Sequence, residues 1–170
     1  MDIRHAHVNS PVGPLLVVAG DDALVGLYFQ GYRHTPPPSA WGRRTDPSAD
    51  ALLARTRDEL DEYFDGQRQT FDVPAVTNGD AFQEQVWARL REIPYGERIT
   101  YGDIADVLGG KGLSQSVGQA VGRNPVSIVI PCHRVVGAGG KLTGFGGGLE
   151  RKQLLLDLEE PAEVREGRLF

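Results

Sequence analysis

Cysteine is almost absent from this chain, since Cys132 is the only one among its 170 residues. A lone cysteine excludes an internal disulfide and every zinc site that needs two or more thiolates. Two interpretations remain, because Cys132 is either a small buried core residue or a reactive thiol. The residue count alone does not choose between them.

Long apolar runs are also missing. The sequence has no stretch of about 18 or more apolar residues, and its start, Met1 to His5, lacks the apolar segment of a secretion signal. We therefore expect a soluble protein that is cytoplasmic if its source is a bacterium and that makes no contact with a membrane. We also expect it to be a monomer.

Positive charge is in short supply, because 18 Lys and Arg stand against 23 Asp and Glu, a formal net charge of -5. This balance argues against a protein that coats nucleic acid non-specifically. Between Gly109 and Lys152, however, every charged residue except Glu150 is basic. That segment is a candidate phosphate-facing surface, although charge alone favours an ordinary solvated surface.

The periodicity of the sequence predicts an α+β fold in two parts, divided near Thr77 to Asp80. Apolar runs from Val12 to Phe29 indicate two strands around a tight turn, and a helix capped by Ser48 follows them. Short strands are also predicted at 71–73 and 126–130.

The second part is predicted to be mainly helical. A helix capped by Asp80 is followed by two short helices around a glycine-rich turn, the second spanning 114–121. This pattern indicates a helix-turn-helix, although a generic helical hairpin would look the same. A last helix over 149–158 is expected to bury Leu154, Leu155 and Leu158.

Cys132 follows an apolar run and Pro131, at a point where the chain reverses. A reactive thiol needs a neighbouring base or positive charge that stabilises the thiolate, and His133 and Arg134 are the adjacent candidates. Neighbours in an extended segment point to opposite faces, so contact between Cys132 and His133 requires a turn or a bridging water.

Several segments carry a specific resemblance. Asn124-Pro125, Ile130-Pro131-Cys132-His133-Arg134-Val135-Val136-Gly137 and Gly144-Phe145-Gly146-Gly147-Gly148-Leu149 resemble the active-site signature of the O6-alkylguanine-DNA alkyltransferases. These proteins are also called methylated-DNA-protein-cysteine methyltransferases. The resemblance implies a ribonuclease-H-like N-terminal domain over 1–79 and a C-terminal domain over 80–170 that contains a winged helix-turn-helix, binds DNA and accepts the alkyl group.

The resemblance also implies the chemistry. An alkyl group would pass from O6 of guanine, or from O4 of alkylated thymine, in double-stranded DNA to Cys132, irreversibly and without cofactor or metal. His133 would be the general base acting through a water, Glu159 would orient it, and Asn124 would brace the turn.

Further roles follow from the same resemblance. The flipped guanine would be bound by Tyr101, by the main-chain carbonyl of Val135 and by the loop that contains Thr143, Phe145 and Gly146. The second helix of the helix-turn-helix would enter the minor groove. The residues expected to contact DNA are Tyr101, Ser114, Gln115, Ser116, Gly118 and Arg123.

Two positions depart from the family pattern. Gln115 stands where relatives usually carry an arginine that fills the gap left by the flipped base, which predicts weaker DNA binding. Phe145 replaces the usual loop tyrosine.

Three alternatives remain at this level. The chain could be a lesion-binding protein of the alkyltransferase-like type, with transfer weakened by Gln115. It could also be a winged-helix regulator with an incidental thiol, or a cysteine hydrolase. Metal binding is not expected, since His5 and His7 form at most half a site.

Overall fold

The computed structural model describes residues 2–161. Its N-terminal part is a four-stranded sheet with the strand order β3-β2-β1-β4. The strands are β1 (Arg4–Val8), β2 (Leu15–Ala19), β3 (Leu24–Phe29) and β4 (Arg43–Arg44). The first three form an antiparallel meander, and β4 pairs parallel with β1. The two strands predicted between Val12 and Phe29 are confirmed.

Helix α1 (Ala51–Phe64) follows the sheet and buries Leu53, Leu60 and Tyr63. Its N-cap is Asp50, whose carboxylate accepts hydrogen bonds from the N–H groups of Leu52 and Leu53, each at 3.0 Å. The predicted cap at Ser48 is therefore wrong. Ser48 lies in a short 3₁₀ turn and donates to Asp46, so the helix starts later on a stronger acceptor.

Between residues 80 and 161, the C-terminal part contains four α-helices. They are α2 (Ala81–Arg91), α3 (Tyr101–Leu108), α4 (Ser114–Gly122) and α5 (Leu149–Glu159). Asp80 caps α2 in a reciprocal box with Gln83, as predicted. Two short parallel strands, β5 (Ile99–Thr100) and β6 (Val135–Val136), flank the α3–α4 pair. The α3–α4 turn passes through Gly109 and Gly110 at φ +155° and +137°, a region that L side chains rarely adopt.

Two predicted strands are wrong. At 71–73 the N–H groups of Asp72 and Val73 donate to the buried carboxylate of Glu59, at 2.8 and 3.1 Å, instead of to a neighbouring strand. At 126–130 the chain folds back on itself, because Ile128 has φ +72° and the N–H of Ile130 donates to the carbonyl of Val126 at 2.9 Å. Apolar runs predict burial here correctly, but not extended structure.

The buried face of α5 also differs from the prediction. Lys152, Leu155, Leu156 and Glu159 are buried, while Leu154 is 36% exposed. These four residues follow the spacing i, i+3, i+4, i+7 of a single helix face. The helix therefore carries two ionisable side chains into the protein interior.

The two parts share one hydrophobic core, in which β2, β3 and α1 pack with residues of α2, α4 and the 126–135 segment. The main chain joins them as well, since Leu27 donates to the carbonyl of Pro125 at 2.9 Å and accepts from Ser127 at 3.1 Å. Within residues 2–161, no helix has the length and apolar character needed to cross a membrane.

Candidate active site

A 3₁₀ turn over Cys132–Arg134 is the centre of the site. Pro131, at φ -81° and ψ 67°, precedes it, and all three side chains of the turn are buried. The turn replaces the extended geometry that would point Cys132 and His133 to opposite faces. The chain reversal expected from the sequence is therefore present.

Asn124 holds this turn from the preceding loop. Its Nδ2 donates to the carbonyl of Ile130 at 2.7 Å, and its Oδ1 accepts from the N–H of Val126 at 3.0 Å. Burial raises the pKa of the Cys132 thiol, and this rise is opposed by hydrogen bonds from the side chains of Asn124 and Ser127 and by the charge of Lys152. Asn124 therefore links the two ends of the 126–130 segment, and its hydrogen bond opposes the rise in the pKa of the thiol.

His133 is fully buried and forms a hydrogen bond from Nε2 to Oε2 of Glu159 at 2.7 Å. Its Nδ1 has no hydrogen-bond partner among residues 2–161. Burial lowers the pKa of His133, while the carboxylate of Glu159 acts in the opposite direction. The bond to Glu159 favours the tautomer with a proton on Nε2, which leaves Nδ1 as the basic nitrogen.

Glu159 is held by more than the histidine. Nε of Arg134 donates to Oε1 at 2.7 Å and Nη2 donates to Oε2 at 3.0 Å, while the Tyr63 hydroxyl also donates to Oε2. Burial alone would raise the pKa of Glu159, but His133 and Arg134 lower it to about 2. Glu159 is therefore a permanent carboxylate.

Lys152 is a site residue that sequence reasoning missed. It is fully buried on α5, its Nζ donates to the carbonyl of Thr143 at 3.3 Å, and it makes no ion pair with any carboxylate of residues 2–161. Nζ lies 5.8 and 5.7 Å from the ring centres of Tyr101 and Phe145. Burial lowers the pKa of Lys152 to about 8, while Cys132 raises it. The sequence signal that could have identified Lys152 is its spacing of seven residues from Glu159, which places both side chains on the same face of a helix, two turns apart.

A cleft of about 1320 Å³ lies beside this centre. One wall is formed by the first half of α3 and by α4, and the other by the turn after β3 and by the segment 143–146, here called the active-site loop. Of the predicted residues, those that line it are Tyr101, Ser114, Gln115, Gly118, Arg123, Thr143, Phe145 and Gly146. Ser116 is exposed on α4 but does not line the cleft, and Val135 is buried in β6.

The active-site loop closes the space next to the thiol. The cavity that borders Cys132 measures about 10 Å³, roughly the room for one water, and is lined by Tyr32, Asn124, Ser127 and part of the loop. The Tyr101 hydroxyl donates to the carbonyl of Thr143 at 3.3 Å. A Cβ on Gly146 would overlap the ring of Tyr32, so only glycine fits there. The cavity beside Cys132 is therefore much smaller than a purine.

Comparison with known proteins gives matches along the chain. The family described as "6-O-methylguanine DNA methyltransferase, ribonuclease-like domain" matches residues 3–75, and "6-O-methylguanine DNA methyltransferase, DNA binding domain" matches residues 81–161. The methylated-DNA–protein-cysteine methyltransferase of Mycobacterium tuberculosis is 41% identical over 168 residues, which cover 99% of each chain. These matches agree with the α+β class expected from the sequence, a ribonuclease-like part followed by a helical DNA-binding part.

Solved structures give the same relationship. The crystal structure of Mycobacterium tuberculosis O6-methylguanine methyltransferase is 40% identical, with a TM-score of 0.80 over 97% of this chain and 99% of that chain. Mycobacterium tuberculosis OGT in complex with DNA is 38% identical, with a TM-score of 0.82 over 95% of this chain and 97% of that chain.

Proposed function

Because the chain belongs to the methylated-DNA–protein-cysteine methyltransferase family, we propose that it repairs DNA by transferring the methyl group of O6-methylguanine to Cys132. The observation that supports this best is the buried pair of His133 and Glu159 next to the only thiol, with Nδ1 of the histidine left available. Residues 1–79 and 80–170 act as the two domains, the second of which contains the acceptor.

The transfer is a single displacement at carbon. The thiol proton of Cys132 passes to Nδ1 of His133 through one water, and Sγ then attacks the methyl carbon. The S–C bond forms as the O6–C bond breaks, and the electron pair of the broken bond leaves with guanine, which takes up a proton to become the normal base. The thioether is not cleaved again, so each molecule acts once.

Positive charge near the thiolate comes from Lys152. The sequence pointed to Arg134 for this role, but Arg134 is occupied by Glu159. Lys152 has no carboxylate partner among the described residues, and its positive charge lowers the pKa of Cys132. This charge is therefore available to stabilise the thiolate in the apolar interior.

Substrate entry requires the active-site loop to open. The methylated carbon is hidden in a stacked duplex, so guanine must rotate out of the helix at a cost of a few kcal/mol. Opening separates Thr143 from the Tyr101 hydroxyl, which then donates to N3 of the flipped guanine and improves it as a leaving group. The carbonyl of Val135 accepts from the exocyclic amine, and N–H groups of the loop approach O6.

Helix α4 provides the DNA contacts in the minor groove. Ser114, Gln115 and Gly118 line the cleft from this helix, and Arg123 lies directly after it. Gln115 can hydrogen-bond the orphaned cytosine but adds no charge. The partner is double-stranded DNA that contains alkylated guanine, bound by one copy of the chain, with O4-alkylthymine as a further substrate.

A lesion-binding protein without transfer is the second candidate. The feature that favours it is Gln115, which stands in the position of the usual arginine and would weaken transfer. The cysteine and its surroundings argue for transfer, because His133, Glu159 and Asn124 all make the contacts that the chemistry needs.

Mass spectrometry of the intact protein tests the function. After mixing with excess duplex that contains one O6-methylguanine, we expect a gain of one methyl mass, located on the peptide that contains Cys132. A Cys132→Ser variant should gain none while still binding the duplex. Binding of the methylated duplex by the unaltered chain without any mass gain would identify the lesion-binding alternative instead.

A further inference from the structure

We propose that Tyr63, on α1 of the N-terminal part, is a positioning residue of the transfer centre that holds Glu159 and keeps His133 available as a base. This inference rests on the proposed methyl transfer. It means that the DNA-binding part does not carry a complete active site by itself, because one of the donors to its carboxylate comes from the other part of the chain.

The contact is direct and buried. The Tyr63 hydroxyl donates to Oε2 of Glu159, a residue 96 positions further along the chain, and the tyrosine is fully buried. The same oxygen accepts from Nε2 of His133 at 2.7 Å and from Nη2 of Arg134 at 3.0 Å. His133 and Arg134 both belong to the 3₁₀ turn, so Tyr63 is the donor that fixes the carboxylate from another direction.

The tyrosine ring is held independently of its hydroxyl. Its centre lies 5.2 Å from that of Phe64, 5.3 Å from that of Phe71 and 6.3 Å from that of Tyr95. Packing of the ring therefore persists when the oxygen is removed. A phenylalanine at position 63 separates the role of the hydroxyl from the role of the ring.

The hydroxyl is a constant donor. Burial and the neighbouring Glu159 raise the pKa of Tyr63 far above its ordinary value, so it stays protonated. Each hydrogen bond to the carboxylate draws off part of its negative charge and weakens its pull on the proton of His133. The groups that face His133 are Glu159, Arg134 and Lys152, and Tyr63 acts on it only through Glu159.

The effect on pH dependence follows with a definite sign. In Tyr63→Phe the carboxylate loses a donor, so it attracts the histidine proton more strongly and the pKa of His133 rises. A base that is protonated at higher pH is less available at low pH. The acidic limb of the rate profile should therefore move to higher pH, whereas a purely structural defect would lower the rate equally at every pH.

The experiment compares single-turnover methyl transfer by the full chain and by Tyr63→Phe across pH. For a shift of about one pKa unit, the rate should fall by up to about tenfold at pH values well below the pKa of His133, and much less at about pH 8. The ¹⁵N chemical shifts of His133 should report the same rise in its pKa. Thr56→Val, which removes a buried hydroxyl on the same helix that donates only to the carbonyl of Leu52 at 2.8 Å, should change neither measurement.

A double-mutant cycle gives the decisive control. If Tyr63 acts through Glu159, Tyr63→Phe should have no further effect on the pH profile in a Glu159→Gln background. An unchanged profile and an unchanged His133 pKa in Tyr63→Phe, or fully additive effects in the cycle, would overturn the inference. Failure of the unaltered chain to gain a methyl group would instead overturn the proposed function, so the two failures are distinguishable.

Discussion

Arg134 and Glu159 form a two-point ion pair in the protein interior, with Nε–Oε1 and Nη2–Oε2 distances of 2.7 and 3.0 Å. Nη1 of the same guanidinium donates to the carbonyl of Ile93 at 2.6 Å, so the arginine is fixed at both ends. This pairing keeps Glu159 charged without letting it take the proton of His133. Because Arg134 pairs with the carboxylate of Glu159, its charge does not stabilise the Cys132 thiolate directly.

Replacing Arg134 should therefore be strongly destabilising. Arg134→Met retains much of the side-chain volume but leaves the buried carboxylate without its cation, which typically costs about 3–5 kcal/mol. Urea denaturation at neutral pH measures the change in the free energy of unfolding. Arg43→Met is the matched control, since its pair with Asp2 is exposed to solvent and should contribute little to stability. Similar losses in both variants would contradict this account of the ion pair.

Acid sensitivity should depend on Glu159. The carboxylate has an ordinary pKa of 4.5 and a pKa of about 2 in the folded protein. The unfolded state therefore binds the proton first, and the stabilisation is present above about pH 4.5 and lost as pH falls towards 2. This stabilisation amounts to roughly 3 kcal/mol. Between these pH values, the free energy of unfolding should fall less steeply in Glu159→Gln than in the unaltered protein. Parallel slopes would show that other carboxylates govern acid unfolding.

Local patterns predicted much of the fold and part of the site. The cap at Asp80, the strands between Val12 and Phe29 and the short helices around Gly109 follow from turn and capping chemistry that operates over a few residues. The signature around Cys132 brought His133, Asn124 and Glu159 into the argument. The caps, strands and turns depend on short segments, so the sequence alone is enough to find them, whereas the roles of His133, Asn124 and Glu159 came from the resemblance to a known family.

The missed residues depend on tertiary packing. Tyr63 reaches Glu159 across 96 positions, and nothing in α1 distinguishes its ring from an ordinary core aromatic. The leucines of α5 predicted a different buried face, whereas contacts with the active-site loop and with the 3₁₀ turn bury the face that carries Lys152 and Glu159. The turn at 126–130 was misread because an apolar run signals burial equally well in a strand and in a buried turn.

Lys152 should control the ionisation of Cys132. Lys152→Met removes a buried positive charge but keeps a side chain of similar size. The pKa of the Cys132 thiol should therefore rise further, and the thiolate fraction at a given pH should fall. Because Cys132 is the only cysteine, the ultraviolet absorbance of its thiolate can be followed against a Cys132→Ser blank. Lys141→Met removes the same charge from an exposed position and should leave the titration unchanged. A shift of equal size in both variants would mean that general electrostatics, not the buried contact, is responsible.

Gln115 should limit DNA affinity. It is exposed at the start of α4 and lines the cleft, so Gln115→Arg places a cation where the minor groove is expected. Each added phosphate contact steepens the dependence of log K on log salt by about 0.9. Fluorescence anisotropy with a methylated duplex at several salt concentrations should show tighter binding at low salt and this steeper slope.

Position on the helix provides the control for this effect. Ser116→Arg adds the same charge to an exposed residue of α4 that does not line the cleft, so it should increase affinity less than Gln115→Arg. Arg123→Gln tests the neighbouring cation, which lines the cleft and makes no ion pair with a carboxylate of residues 2–161. Equal affinity for the unaltered chain and Gln115→Arg, together with a large loss in Arg123→Gln, would transfer the gap-filling role from Gln115 to Arg123. In that case the glutamine does not weaken DNA binding, because Arg123 would supply the positive charge from the C-terminal end of α4.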